Sequence, residues 1–418
     1  MAPIANGSAA QLLIENNLPL WLDTVKLQKA VQKKLGNFNL IKSINIEDHI
    51  KSEEDFSSLM LRINVEVEVD AGNTTTTSFI LKTNYANEEI INIVNTLQLL
   101  PKEEKMYHTI IPKFEALYGD KTSKKVKFAP QAFKFDNSLD TDYILLDDLQ
   151  TNHYKNVKGA TLNMEHMKHA LNKLAEFHAA SACYVEHHGM FSEEFTVSIF
   201  SESNRILLKR FNASDVFLQH LKKWKNGDYY YQKLADSDKY IIDRLLELQK
   251  VNPREFNVLN HGDCCVNNIM FKYDASGKIE DTVFLDFQVG KYGSPANDLY
   301  YLILSSADLS IKYTEFDFFV RFYYDKLIEN LKLLEYHRPL PKLRSLHNTL
   351  LKHGLAAYMV VSKVLPIIML DKTDNKHYSN CLNDETKMRE LMYKNHKYVQ
   401  AVNELLPWLD NRGLLDWK

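Results

Sequence analysis

A chain of 418 residues has room for about two to three ordinary domains, and its content of 45% hydrophobic and 25% charged residues excludes a fibre or a disordered polymer. The net charge of −3 supplies no overall basic field, which argues against nucleic acid as a partner. The four cysteines, Cys183, Cys264, Cys265 and Cys381, are sparse, and adjacent Cys264 and Cys265 are poorly placed to bridge one another; such usage suits a reducing compartment. Met1 to Ala10 has neither the positive residues nor the apolar core of a secretory signal, so a cytoplasmic protein is expected.

Residues Pro19 to Leu35 read as a helix, with Trp21, Val25 and Leu35 as candidate apolar contacts. From Leu61 the pattern changes to alternation: Leu61, Ile63, Val65, Val67 and Val69 are apolar, and Arg62, Asn64, Glu66 and Glu68 are polar. That is a half-buried antiparallel strand. Asp70-Ala71-Gly72-Asn73 supplies turn chemistry, and Thr74 to Lys82 returns as a second strand. Glu88 to Leu117 reads as helical, broken near Pro101 and Pro112. Tyr143-Ile144-Leu145-Leu146 is a short apolar strand that stops at Asp147-Asp148.

The remainder is mostly helical. Met164, Met167, Leu171, Leu174 and Phe177 keep helical spacing to Ser181, and Asn163 is the expected N-cap. Ile269 to Tyr273 and Thr282 to Leu285 flank the turn Asp274-Ala275-Ser276-Gly277 and predict a small hairpin. The best membrane candidate, Ala356 to Leu370, is 15 residues long and carries Lys363 and Pro366. It falls short of the roughly 18 apolar residues of a spanning helix, so a buried, kinked helix is expected and no membrane span.

The chemistry concentrates around the small hairpin. His261-Gly262-Asp263-Cys264-Cys265-Val266-Asn267-Asn268 precedes its first strand, and Asp286-Phe287-Gln288 follows its second. Two carboxylates and an amide are thereby delivered to one end of a rigid ribbon. Phosphoryl transfer needs that set: one carboxylate to orient and deprotonate the attacking hydroxyl, and a second carboxylate with an amide oxygen to hold Mg²⁺. Asp263 fits the first role, and Asn268 and Asp286 the second. His261 reads as a scaffold of the loop, Asp298 as an anchor for the loop after Asp286, and His178 as a packed histidine. Adjacent cysteines lack the spacing of a zinc knuckle. Tyr229–Tyr231 and Phe316–Tyr324 read as core aromatics.

This loop resembles the His-Gly-Asp form of the kinase catalytic loop seen in aminoglycoside phosphotransferases and choline kinases. The longer string from Asn260 to Met270, with Leu285-Asp286-Phe287-Gln288 and Tyr292-Gly293-Ser294-Pro295-Ala296-Asn297-Asp298-Leu299, resembles the ecdysteroid kinase-like family of insects more closely. The resemblance runs over about residues 38 to 410 and implies an α+β, two-lobed protein-kinase-like fold. An N-terminal lobe with an antiparallel sheet is expected over 1–146, and a mainly helical C-terminal lobe over 147–418, with a ligand cleft where they meet. The implied activity is ATP-dependent phosphorylation of a small-molecule alcohol, with a steroid hydroxyl first and a choline- or aminoglycoside-like alcohol as the alternative. ATP and Mg²⁺ are the implied cofactors. No protein partner is expected.

The resemblance further implies that Lys82 holds the α- and β-phosphates and pairs with Glu103, with Glu104 as the alternative one residue on. Leu146 and Asp147 would form the connector that meets adenine, through backbone groups near Asp147. The family's phosphate-covering loop falls on Ser52-Glu53-Glu54-Asp55-Phe56-Ser57-Ser58, which lacks glycine and carries three acids. Ser57 and Ser58 would still offer donors there. That departure leaves a rival class open, a ligand-binding pseudokinase without turnover.

Overall fold

A computed structural model describes residues 24–48, 58–70, 72–84, 88–123, 125–133, 143–157, 159, 161–197, 199–212, 214–370 and 385–417. Trp21, Cys381 and Ser52–Ser57 lie outside these residues. The chain gathers into two compact units. One takes the described residues as far as Pro112 together with Ala129–Lys155; the other takes Lys113–Phe128 and the described residues from Asn156 onward.

The first unit is built on a five-stranded sheet of β1 (Leu40–Asp48), β2 (Ser58–Asp70), β3 (Asn73–Asn84), β4 (Ala132–Phe133) and β5 (Tyr143–Asp147), in the order β1-β2-β3-β5-β4. Every pairing is antiparallel. A two-residue β6 (Tyr154–Lys155) ends the unit. The alternation of β2 sends Leu61, Ile63, Val65 and Val67 to one face. There they are buried with Phe79, Leu81, Phe133 and Leu145, and with Leu27, Ala30 and Val31 of the helix Thr24–Leu35. Phe79 stands edge-on to Phe133 with ring centroids 5.1 Å apart. The expected contact Leu35 is instead 38% exposed, because the buried stripe runs through Leu27, Ala30 and Val31. β1 was not expected: a register shift between Ile41 and Ser43 breaks its alternation and hides the period of 2.

The prolines act differently from the sequence expectation. The first break falls at Gln98, which adopts a left-handed φ of 52°, between helices Glu88–Thr96 and Leu99–Lys105. Pro101 sits in the first turn of the second helix, where an N–H is not needed. Pro112 does not break the run; the chain widens into a π turn, Met106–Ile110, and continues as Ile111–Tyr118. Pro366 repeats the device, with a π turn at Val360–Val364 and helix resuming at Leu365. A wider turn relieves the clash between a proline ring and the carbonyl one turn back.

The second unit centres on the helix Met164–His188, longer than the periodicity predicts and capped by the Asn163 side chain, which accepts from the His166 N–H. Phe114 packs edge-on to its Phe177, with centroids 5.3 Å apart. Tyr118 Oη donates to Asn330 Oδ1 at 3.0 Å, on the helix Phe316–Leu333. The short strands β7 (Val258–Asn260) and β10 (Lys291–Gly293) pair antiparallel, as do β8 (Ile269–Tyr273) and β9 (Ile279–Phe284). β9 begins earlier than expected because the turn closes at the Asp274 N–H, which donates to Lys278 O at 2.9 Å. Among the described residues no single helix is long and apolar enough to cross a membrane; in the candidate stretch Leu355, Ala357, Tyr358, Val361, Leu365 and Pro366 are buried.

Because Phe79 is fully buried where sheet and helix meet, Phe79→Ala is expected to cost about 3–5 kcal/mol. Urea unfolding measures this, and a loss below about 1 kcal/mol would mean that the face is not packed as described.

Candidate active site

β7 delivers His261, Gly262 and Asp263, and a buried carboxylate fixes their backbone. Asp298, on the helix Ala296–Ser306, accepts the His261 N–H at Oδ2 (2.6 Å) and the Gly262 N–H at Oδ1 (2.9 Å). His178 Nε2 lies 3.1 Å from the same Oδ2, and its Nδ1 is 2.6 Å from Tyr323 Oη. Burial pushes the Asp298 carboxyl up, but the hydrogen bond from His178, the two neighbouring imidazoles and the Gly262 N–H outweigh it and hold it below the usual range. Asp298 therefore anchors the loop before the hairpin, whereas the sequence reading gave it the loop after Asp286.

His261 is a scaffold, as expected. Its Nδ1 accepts the Asp263 N–H at 3.2 Å, so Nε2 carries the proton and donates to Leu285 O at 2.8 Å. Gly262 has φ +86°, and a Cβ there would lie 2.6 Å from Val289 O, so the loop admits only glycine. With both nitrogens of His261 engaged, and the Cys264 and Cys265 thiols pushed well up by burial, that trio offers no metal site.

Of the sequence-named trio, Asn268 meets Asp263 directly. Asn268 Nδ2 donates to Asp263 O at 2.9 Å and to Asp263 Oδ2 at 3.0 Å, which turns its carbonyl oxygen Oδ1 the other way. Tyr301 Oη donates to Asp263 Oδ1 at 2.5 Å. Burial and the Asp263 charge push the Tyr301 phenol well above its ordinary value, so Tyr301 is the donor in this bond. Sequence reasoning missed Tyr301. The one available signal is its offset of three from Asp298, which puts both on one helix face. Across the hairpin, the Leu285 N–H donates to Asn268 O at 2.9 Å, tying the approach to Asp286 to Asn268. Asp286 has a left-handed φ of 62° and accepts from Gln288 Nε2 at 3.0 Å. Phe287 is buried against His261, with centroids 4.6 Å apart. The donor set, a carboxylate and an amide oxygen, fits a hard divalent cation such as Mg²⁺.

In the first unit, β3 alternates: Phe79 and Leu81 enter the core, and Lys82 points to the other face. There Lys82 Nζ meets Glu103 Oε2 at 2.8 Å, with the side chains 3% and 1% exposed. The ion pair resolved at Lys82 is with Glu103. At the connector, the Leu146 backbone is paired in the sheet with Ile80 and Ala132. The Asp147 N–H donates to Gln131 O at 2.8 Å, and its carboxylate meets Lys34 Nζ at 2.6 Å. The Asp148 N–H donates to Ser78 O at 3.4 Å. The N–H groups of Asp147 and Asp148 are thus engaged within the unit. Ser58 opens β2 opposite Asn84; the rest of its loop, including Glu53–Asp55, lies outside the described residues.

Burial also lowers the His261 pKa, and Asp298 is held low as well, so both groups destabilise the fold in acid. The unfolded histidine takes its proton near about pH 6.5, where native His261 does not, so stability falls as pH drops below that value. Asp298 adds a second loss as pH falls through the usual aspartate range. Melting temperature measured from pH 7 to about 3 should decline, and His261→Asn should flatten the upper part of the decline; equal slopes for the two proteins would refute the assignment.

No curated protein matches the chain. Solved structures that match include an amicoumacin kinase in complex with AMP-PNP, Ca²⁺ and Ami, 12% identical, covering 88% of this chain and 94% of that one at a TM-score of 0.39. A choline/ethanolamine kinase family protein from Mesorhizobium loti is 9% identical over 91% and 99%, at 0.36. A thermostable mutant of aminoglycoside phosphotransferase APH(4)-Ia is 12% identical over 90% and 98%, at 0.32. At such scores membership rests on the sequence match, which spans residues 52–336, more than half of the 418. The chain belongs to the ecdysteroid kinase-like family.

Proposed function

We propose that the protein transfers the γ-phosphate of ATP to the hydroxyl of a small molecule. The observation that carries this reading is the state of Asp263: Tyr301 donates to one carboxylate oxygen and Asn268 to the other, which aims a fixed acceptor at an incoming O–H. In the proposed reaction Asp263 orients the alcohol and takes its proton as the oxygen attacks the γ-phosphorus in line, and ADP leaves. Asn268 Oδ1 and the Asp286 carboxylate would hold Mg²⁺, which neutralises charge on the phosphate oxygens when bound. Lys82, fixed by Glu103, would hold the α- and β-phosphates. The engaged N–H groups of Asp147 and Asp148 point adenine recognition to other groups of the connector. A steroid alcohol is the favoured acceptor, because the family's description names ecdysteroids.

Incubation of the protein with Mg·ATP and panels of hydroxysteroids, choline and aminoglycosides, read by mass spectrometry for phosphate addition, tests the reading. Phosphorylation confined to the steroids supports it, and phosphorylation of choline or aminoglycosides moves the acceptor class. A thermal shift with Mg·ATP but no phosphorylated product in any panel favours a binding module. With the best acceptor, Asp263→Ala should lower kcat by about 10²–10⁴-fold with ATP affinity kept. Asp286→Ala should abolish the Mg²⁺-dependent part of ATP binding. Wild-type turnover in both variants would end the mechanism.

Tyr301 is a positioning residue in this scheme. A hydrogen bond to a charged group is worth about 1.5–3 kcal/mol, so Tyr301→Phe should cut kcat about 10–100-fold with KM for ATP unchanged. A fall in melting temperature with normal kcat would reduce Tyr301 to packing.

A further inference from the structure

Away from the catalytic loop, the helical unit carries a second group of side chains with ligating chemistry. We propose that Glu186, His187 and His337 bind a transition-metal dication of the zinc type. Glu186 and His187 lie in the last turn of the helix Met164–His188, and His337 lies beyond the helix Phe316–Leu333. One ligand atom from each falls within 4.8 Å of the other two. Glu186 Oε2 is 3.2 Å from His337 Nδ1 and 4.0 Å from His187 Nε2. A tetrahedral zinc with bonds of about 2.0–2.1 Å separates its ligands by about 3.3 Å, so the carboxylate and His337 already stand at the required spacing. His187 closes the remainder by rotating an exposed side chain.

The carboxylate is set in place before any ion arrives. The His337 N–H donates to Oε1 (3.2 Å) and Oε2 (3.0 Å), and the Arg338 N–H donates to Oε1 at 2.9 Å. Backbone donors of this kind orient a metal carboxylate in the way outer-shell partners do. The one opposing charge whose contact is resolved, Arg338, approaches Oε1 at 3.9 Å and leaves the histidine side to Oε2. The ion would replace the proton shared by His337 Nδ1 and Glu186 Oε2. Two imidazoles and one carboxylate select zinc-like ions over Mg²⁺, which prefers oxygen. Bound there, the ion would clip the end of one long helix to the segment that follows the other.

The test is a calorimetric titration of chelator-stripped full-length protein with ZnCl₂, in roughly millimolar Mg²⁺ to occupy oxygen-only sites. One Zn²⁺ per chain and a raised melting temperature are expected. His187→Ala and His337→Ala should each weaken binding at least about tenfold, on the scale of supporting-residue losses, and the double variant should abolish it. Both histidines are exposed, at 38% and 75%, so the variants should melt like wild type in EDTA. Glu186 is left intact because it also holds the 337–338 backbone. No stoichiometric Zn²⁺ on wild type, or equal binding by wild type and the double variant, overturns the proposal. Neither result bears on the kinase reading.

Discussion

The loop that carries Asp263 depends on one buried carboxylate. Asp298 gathers the backbone N–H groups of His261 and Gly262 and the ring of His178, and so ties the loop to two helices. Taking a carboxylate out of water is costly, and these donors are what make it tolerable. The arrangement leaves little freedom. Two consecutive N–H groups aimed at one carboxylate fix the path of the chain, and Gly262 then runs so close to Val289 that no side chain fits. Asp263 follows with its direction already set.

The same economy holds Asp263 itself. Asn268 reaches it from the start of the hairpin and Tyr301 from the helix that carries Asp298. One helix thus supports the loop backbone at one residue and the Asp263 carboxylate three residues later. In the first unit, the period of 2 along β3 does the comparable work. It gives Phe79 and Leu81 to the core and leaves Lys82 on the face where Glu103 meets it. A buried pair of this sort is weak evidence for stability and better evidence for a positioned charge.

Legibility in the sequence tracked the distance over which the cause acts. Asp263 and Asn268 are five residues apart and Asp286 closes the adjoining hairpin, so their grouping follows from local pattern. The alternation of β2 announced a sheet face. Tyr301 reaches Asp263 across 38 residues, a contact that exists only once the helix has docked, and spacing cannot reveal it. β1 was hidden by a bulge, a single irregularity that erases a two-residue period. Leu35 was misassigned because the helix has a narrow buried stripe that end residues do not share. Pro112 was misread for a related reason: it follows a π turn by two residues, and the turn absorbs the ring that was expected to break the helix.

The left-handed backbone at Asp286 sets two selective pressures against each other. Glycine or asparagine is more at ease in that conformation than aspartate, and replacing a strained residue commonly adds stability at a cost in function. A laboratory search that rewards heat tolerance alone would therefore drift toward glycine or asparagine at this position and shed the carboxylate that the proposed chemistry uses.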